Sequence, residues 1–199
     1  MALGTVLLCC LFILCVCGVL RAPFTLLRLN GAAVTCIALL TVALHAFPLA
    51  PIPQIQVDAG AIVLIVCLLV FTKRTADYSA MLLAVVCAFL AGACCVLLSA
   101  RLPTPVGAFS VADALHCLTC TVFVYRLRRH ASAALLYAAL APVWMDLLRT
   151  AADISRYGYA VLYIGSAAAF DRQIAGVLYT GALLCVFRAG RRRTVPPAA

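Results

Sequence analysis

The sequence is poor in charged residues and contains no glutamate. Only 11% of its 199 residues are charged, and all six acidic residues are aspartates. A soluble domain carries about a quarter charged residues, because water must cover its surface. This shortage excludes an ordinary soluble domain. Together with a mean hydropathy of +1.17, it indicates that lipid covers most of the protein surface.

The chain also lacks long polar connections and the short motifs of common enzyme classes. No phosphate-binding glycine-rich loop, nucleophile elbow or metalloprotease motif is present, and no cofactor is implied. Residues 1–20 lack the basic region and the cleavage site of a signal peptide, so we expect a membrane helix there. The sequence therefore predicts one transmembrane domain of the all-α class.

Apolar runs predict a polytopic bundle of about seven transmembrane helices. A spanning helix needs roughly 20 apolar residues, and the shortest run fits a locally thinner bilayer. The predicted spans are residues 3–20, 29–47, 57–72, 79–100, 109–125, 131–148 and 171–187.

The last third of the chain requires a choice. Residues 157–187 are apolar except for Asp171 and Arg172, but a single helix of that length would measure about 46 Å, against a hydrocarbon core of about 30 Å. We therefore predict one span at 171–187, preceded by an interfacial or re-entrant segment at 157–170. The tyrosines of this segment suit the headgroup layer, and Gly158 and Gly165 permit a bend.

The basic residues predict the orientation. They lie in small groups at the ends of apolar runs, which argues against a nucleic-acid partner despite the net charge of +9. Lys and Arg are concentrated in cytoplasmic connections, so we expect the N-terminus outside, the C-terminus inside and a basic cytoplasmic tail at 188–199. One set of alternate connections holds Arg21, Arg28, Lys73, Arg74, Arg126, Arg128, Arg129, Arg188, Arg191, Arg192 and Arg193; the other holds Arg101, Arg149 and Arg156, with Arg172 assigned to neither.

A ladder of alternating charges, Asp146, Arg149, Asp153 and Arg156, follows the sixth predicted span. Spacings of three and four residues place all four on one helix face, where each Arg can pair with a neighbouring Asp. Two interpretations are open: a self-neutralised helix extension at the outer surface, or the polar rim of an outward-facing cavity. Asp171 is the fifth candidate for such a cavity, with Arg149 or Arg156 as its expected partner.

Other polar residues suggest further sites. In the fifth predicted span, Asp113, His116, Cys117 and Cys120 share one face, and a Cys-x-x-Cys pair beside a histidine can serve redox or metal chemistry. The competing interpretation is structural, because cysteine in apolar runs behaves as a small hydrophobic residue. His45 and Asp58 lie toward the same outer side and are candidates to join the charged cluster.

The whole chain resembles the YphA-type multi-pass membrane proteins of spore-forming Gram-positive bacteria. The resemblance rests on length, segmentation and three short motifs. It implies a bacterial plasma membrane and a sporulation context, but no catalytic residue. The motifs are Pro142-Val143-Trp144, Tyr163-Ile164-Gly165-Ser166 and Phe170-Asp171.

We expect the first of three functions, and the other two are alternatives to it. The first is a non-enzymatic assembly or accessory component that contacts a membrane-protein partner through small residues, such as 92–94 and 167–169. The second is a small-solute transporter or substrate-capture subunit with an outer cavity. The third is a membrane thiol oxidoreductase that uses Cys117 and Cys120.

Overall fold

The computed structural model describes residues 3–27, 30–47, 49–52, 54–99, 101, 111–127, 130–158 and 161–194. In these ranges the chain is mainly helical, in agreement with the predicted class, and it also contains a small sheet that was not predicted. The helices are α1 (Leu3–Val16), α2 (Arg21–Leu27), α3 (Gly31–His45), α4 (Ala59–Thr75), α5 (Tyr78–Ser99), α6 (Val111–Arg126), α7 (Ala131–Tyr157) and α8 (Ala167–Thr194). The strands are β1 (Leu49–Ile52), β2 (Ile55–Val57) and β3 (Leu162–Ile164).

Three helices are long and apolar enough to cross a membrane: α5, α7 and the part of α8 from Ala167 to Gly190. Val6–Cys15 in α1 and Gly31–His45, which is α3, are shorter apolar helices. The chain therefore contains helices of the length and composition that a bilayer requires.

The helices begin and terminate on two opposite sides of the molecule, which are called its two ends. At the first, called the sheet end, β2 pairs antiparallel with β1 and parallel with β3. The amide of Asp58, just before α4, donates to the carbonyl of Ile164 at this end. At the other, called the basic end, Thr75 Oγ1 at the end of α4 donates to Ser132 Oγ at the start of α7, at 2.8 Å. Because α4 begins at the sheet end and α7 begins at the basic end, these two helices run in opposite directions.

The core is built around α7, most of whose first half is buried. Helix α5 packs against α7 through a stripe of small residues, Ala80, Ala84, Ala88 and Gly92. A Cβ on Gly92 would lie 3.0 Å from the Cβ of Trp144, so the stripe allows close approach of the two helices. Larger apolar residues of α5 point away from this contact and remain exposed, as expected for a lipid-facing surface.

Several helix boundaries differ from the predicted spans. Helix α7 continues past residue 148 through the charge ladder and ends at Gly158, whose φ of 75° gives a left-handed cap. Helix α8 begins at Ala167 and continues to Thr194, so the first part of the predicted basic tail is helical. The reason is that apolar composition locates the part of a helix that suits lipid, whereas backbone hydrogen bonding continues until a cap ends it.

The predicted interfacial or re-entrant segment at 157–170 contributes three elements at the sheet end. Its described residues form the end of α7, strand β3 and the first turn of α8. The first predicted span, 3–20, ends earlier than expected, since α1 stops at Val16 and Gly18 adopts a positive φ of 73° before α2 begins.

Replacing Gly165 with alanine should destabilise the protein by about 2 kcal/mol, from the combined cost of a left-handed backbone at a non-glycine residue and overpacking. Gly165 has φ of 78°, and a Cβ there would lie 2.7 Å from the Cβ of Ala61. The matched control is Gly181→Ala in α8, where a Cβ meets open space and helix propensity favours alanine. Thermal unfolding in detergent measures both, and equal losses of Tm would contradict the packing argument.

Candidate functional site

A pocket of about 290 Å³ lies at the sheet end, between the C-terminal part of α7 and the chain that leads into α8. It is referred to as the α7–α8 pocket. Its lining combines charged, hydroxyl and apolar side chains, which are Asp146, Arg149, Thr150, Asp153, Val161, Tyr163, Ser166, Ala168 and Arg172.

One wall of the pocket is the part of α7 that projects beyond the start of α8. Asp146 Oδ2 accepts a hydrogen bond from the Ser166 amide at 2.8 Å, which fixes where the two helices meet. From that point to Tyr157, α7 continues for about 16 Å at 1.5 Å per residue. Spacings of three and four residues place Arg149 and Asp153 on the same face of α7 as Asp146. The charge ladder therefore forms the wall of a concave site.

Asp146 holds the start of α8. Besides donating its amide to Asp146, Ser166 accepts a hydrogen bond from the Ala169 amide through Oγ, at 3.2 Å. Ser166 is thus the N-cap of α8. A carboxylate beside a helix N-terminus is also favoured by the helix dipole. One oxygen of the Asp146 carboxylate, Oδ2, therefore bonds the protein's own backbone.

Arg172 connects the pocket to α6. Its Nε lies 2.6 Å from Oδ1 of Asp113, and the side chains of Arg172 and Asp113 are 18% and 26% exposed. Charged groups at membrane depth are costly and are generally paired. This ion pair connects the outer charges to the polar face of the fifth predicted span, which were predicted as two separate sites.

Arg149 and Asp153 have no hydrogen-bond or ion-pair partner in the part of the chain that the structure describes. The expected pairing of each ladder Arg with a neighbouring Asp is therefore not observed. Arg149 and Arg156 are exposed, and the entropy cost of ordering an exposed arginine offsets most of what a surface ion pair gains. Two opposite charges in the pocket therefore have no partner among the residues that the structure describes.

Two of the five residues predicted for the cavity do not line it. Arg156 is exposed beyond the pocket. Asp171 accepts a hydrogen bond from the Gly4 amide at 2.5 Å and so attaches α1 to α8, instead of pairing with Arg149 or Arg156. Adjacent helix residues point about 100° apart, so Arg172 lines the pocket while Asp171 turns away from it. The sequence shows that Asp171 and Arg172 are adjacent, but it does not show how α8 is rotated. That rotation decides which of the two side chains lines the pocket.

His45 and Asp58 form a separate polar pair at the sheet end, outside the pocket lining. His45 Nδ1 and Asp58 Oδ2 are 2.5 Å apart, and Asp58 Oδ1 also accepts from the Ala61 amide at 3.1 Å as the N-cap of α4. The His45 ring stacks on Phe170, with centroids 3.8 Å apart and an interplanar angle of 6°. This pair joins α3, α4 and α8.

The Cys-x-x-Cys segment lies in α6 with one thiol in the core. Cys120 is fully buried, and its Sγ lies 3.7 Å from Nε2 of His116. The His116 ring packs against Gly176 of α8, where a Cβ would collide with Nε2. Cys117 is half-buried, and every cysteine is a free thiol. Among the described residues, no group of three or more His, Cys, Asp or Glu side chains could hold a metal ion.

Comparison of the sequence and fold with protein-family models, with curated proteins and with solved structures finds no match. The geometry of the pocket is thus the basis for a functional conclusion.

Proposed function

We propose that this chain is a multi-pass protein of the bacterial plasma membrane that captures a small polar solute at its outer face. The observation that carries the proposal is the α7–α8 pocket, in which Arg149 and Asp153 have no partner in the described chain. Its volume of about 290 Å³ is at the lower end of ligand pockets in proteins, roughly 300–1,000 Å³. Such a site suits binding or transport of a small solute.

A topology of seven membrane crossings, which we propose with it, would make the pocket face outward. In the proposed topology α1 and α3 to α8 each cross, while the short α2 lies at the basic end. The shorter helices measure about 21–26 Å at 1.5 Å per residue, which a thinned bilayer accommodates. Lys73, Arg74 and Arg126 occupy the last turns of α4 and α6 at the basic end. The inside-positive rule would put that end in the cytoplasm and the sheet end outside.

The other two functions remain hypotheses with less support from the contacts. The small residues that suggested an assembly role include Gly92, which is buried against α7 within the chain. The thiol oxidoreductase hypothesis requires an accessible dithiol, whereas Cys120 is buried in the core beside Val124 and Tyr137. The resemblance to the YphA-type proteins also remains a hypothesis.

Replacing Ala168 with cysteine tests the proposed function. Ala168 is exposed and lines the pocket, so a membrane-impermeant maleimide added to intact cells should label the variant at least several-fold more than the wild type. The wild-type chain is the baseline. Its exposed Cys36 and Cys94 lie on apolar helices, where lipid would exclude the reagent, and its exposed Cys17 follows the end of α1, which the proposed topology places on the cytoplasmic side.

The matched control is Arg74→Cys, an exposed position at the basic end. It should be labelled only after the cells are permeabilised. If Ala168→Cys instead requires permeabilisation, or Arg74→Cys is labelled in intact cells, an outward-facing pocket is wrong.

A further inference from the structure

We infer that the α7–α8 pocket binds a small zwitterion, held through its anionic group by Arg149 and through its cationic group by Asp153. The inference rests on the proposed function and specifies the ligand's charge.

The first step is an inventory of the four charged residues in the pocket lining. The carboxylate of Asp146 accepts from the Ser166 amide, and the guanidinium of Arg172 is paired with Asp113. Arg149 and Asp153 are the remaining two, and neither bonds to another described residue. Arg149 and Asp153 therefore offer a ligand one positive and one negative group that no described residue bonds, and Asp146, which keeps its charge while accepting from a neutral amide, adds a second negative charge to the lining.

The second step concerns spacing. Arg149 and Asp153 are four residues apart in α7, so their Cβ atoms are about 5–6 Å apart on one face. A short molecule with opposite charges close together can contact both groups at once. A ligand with a single charge would pair with one of the two groups and lie within the same few ångströms of the other, which carries the same sign of charge as the ligand and repels it.

The third step concerns the remaining lining and the size of the ligand. Thr150 supplies a hydroxyl group, and Val161 and Tyr163 supply apolar surface opposite α7. A volume of about 290 Å³ has room for a small apolar substituent between the two charges, but not for a long chain. These features fit the size and chemistry of a free amino acid.

A zwitterion at this position has two sources. One is a free amino acid in the external medium, and the other is the headgroup of a zwitterionic phospholipid, since the sheet end would lie at the outer interface. Both present an ammonium group together with a carboxylate or phosphate, so they share the recognition chemistry described above.

The experiment is calorimetric titration of the full chain in nanodiscs of phosphatidylglycerol. Four soluble probes separate charge from shape: the zwitterions alanine and glycerophosphoethanolamine, the cation alaninamide and the anion N-acetylalanine. We expect at least one zwitterion to bind at least tenfold more tightly than either singly charged probe. Arg149→Gln should lose the preference over alaninamide, and Asp153→Asn the preference over N-acetylalanine. Arg156→Gln, on the same helix but outside the pocket, should leave both preferences unchanged.

The two sources give different results. A free amino acid predicts that alanine binds and that phosphatidylethanolamine added to the discs does not compete. A headgroup predicts that glycerophosphoethanolamine binds and that phosphatidylethanolamine competes. The inference is overturned if a singly charged probe binds as tightly as the zwitterions, if no probe binds, or if Arg149→Gln and Asp153→Asn behave like Arg156→Gln. In each of these cases the zwitterion is rejected, but labelling of Ala168→Cys in intact cells would still support an outward-facing pocket. Failure of that labelling would reject the outward-facing pocket, and with it the proposed function.

Discussion

Arg172→Met should lower the free energy of unfolding by about 3 kcal/mol, because it removes the guanidinium that pairs with the half-buried Asp113 carboxylate. Arg172 and Asp113 are 2.6 Å apart and mostly shielded from water, and the ion pair connects α6 to α8. Methionine keeps most of the side-chain length, so the loss of charge is the main change. Unfolding by SDS titration in mixed micelles measures the effect, which should be large enough to shift the midpoint clearly.

The double variant Arg172→Met/Asp113→Leu should recover most of that loss, because two packed apolar residues replace the ion pair and no half-buried carboxylate remains beside the methionine. The control is Asp77→Ala. Asp77 lies 3.8 Å from His130, and its side chain is 79% exposed. An exposed pair contributes little, so this variant should unfold like the wild type. A double variant as unstable as the sum of its two single variants would show that the pair itself does not stabilise the fold.

Seven of the eight described helices were predictable from the sequence because transfer into lipid depends on local composition, whereas the short α2, Arg21–Leu27, lies between two predicted spans and was not predicted. The predicted span 79–100 and helix α5, Tyr78–Ser99, nearly coincide. The apolar run there is long, and polar residues end it on both sides. Local composition also identified the charged face of α7, since helical periodicity alone brings Asp146, Arg149 and Asp153 to one side.

The sheet was not predictable in the same way. Strands β1 and β2 lie in the proline-rich connection after α3, and each has only three or four residues, too few to show an alternating pattern. Strand β3 lies far away in the sequence and pairs with β2 through Gln56 and Tyr163. That pairing depends on where α4 and α8 are placed by the bundle, which single-sequence patterns do not encode.

The pocket was predictable only in part, for a related reason. Spacing assigns residues to a face of their own helix, but it does not fix how one helix is rotated against another. Hydrogen bonds from Gly4 to Asp171 and from Ser166 to Asp146 set the rotation of α8. As a result Arg172 lines the pocket and Asp171 does not. The link from Arg172 to Asp113 likewise depends on the packing of α6 against α8.

Asp58→Ala should destabilise the protein by about 3 kcal/mol, because one buried carboxylate serves two roles. Asp58 caps α4 through the Ala61 amide, and loss of an N-cap costs about 1 kcal/mol. It also accepts from His45 Nδ1, and loss of a hydrogen bond to a charged group costs roughly 1.5–3 kcal/mol. The same unfolding titration in micelles measures the change.

Asn30→Ala separates the two roles. Asn30 caps α3 through the Ala32 amide at 3.0 Å and is exposed, so this variant loses a cap alone and should cost about 1 kcal/mol. Asp58→Asn keeps the size of the side chain and an oxygen for the cap, and it should fall between the two because the charged partner of His45 is lost. If Asp58→Ala costs no more than Asn30→Ala, then the His45–Asp58 contact adds no stability. The stacking of His45 on Phe170 would then be what holds α3 against α8 at the sheet end.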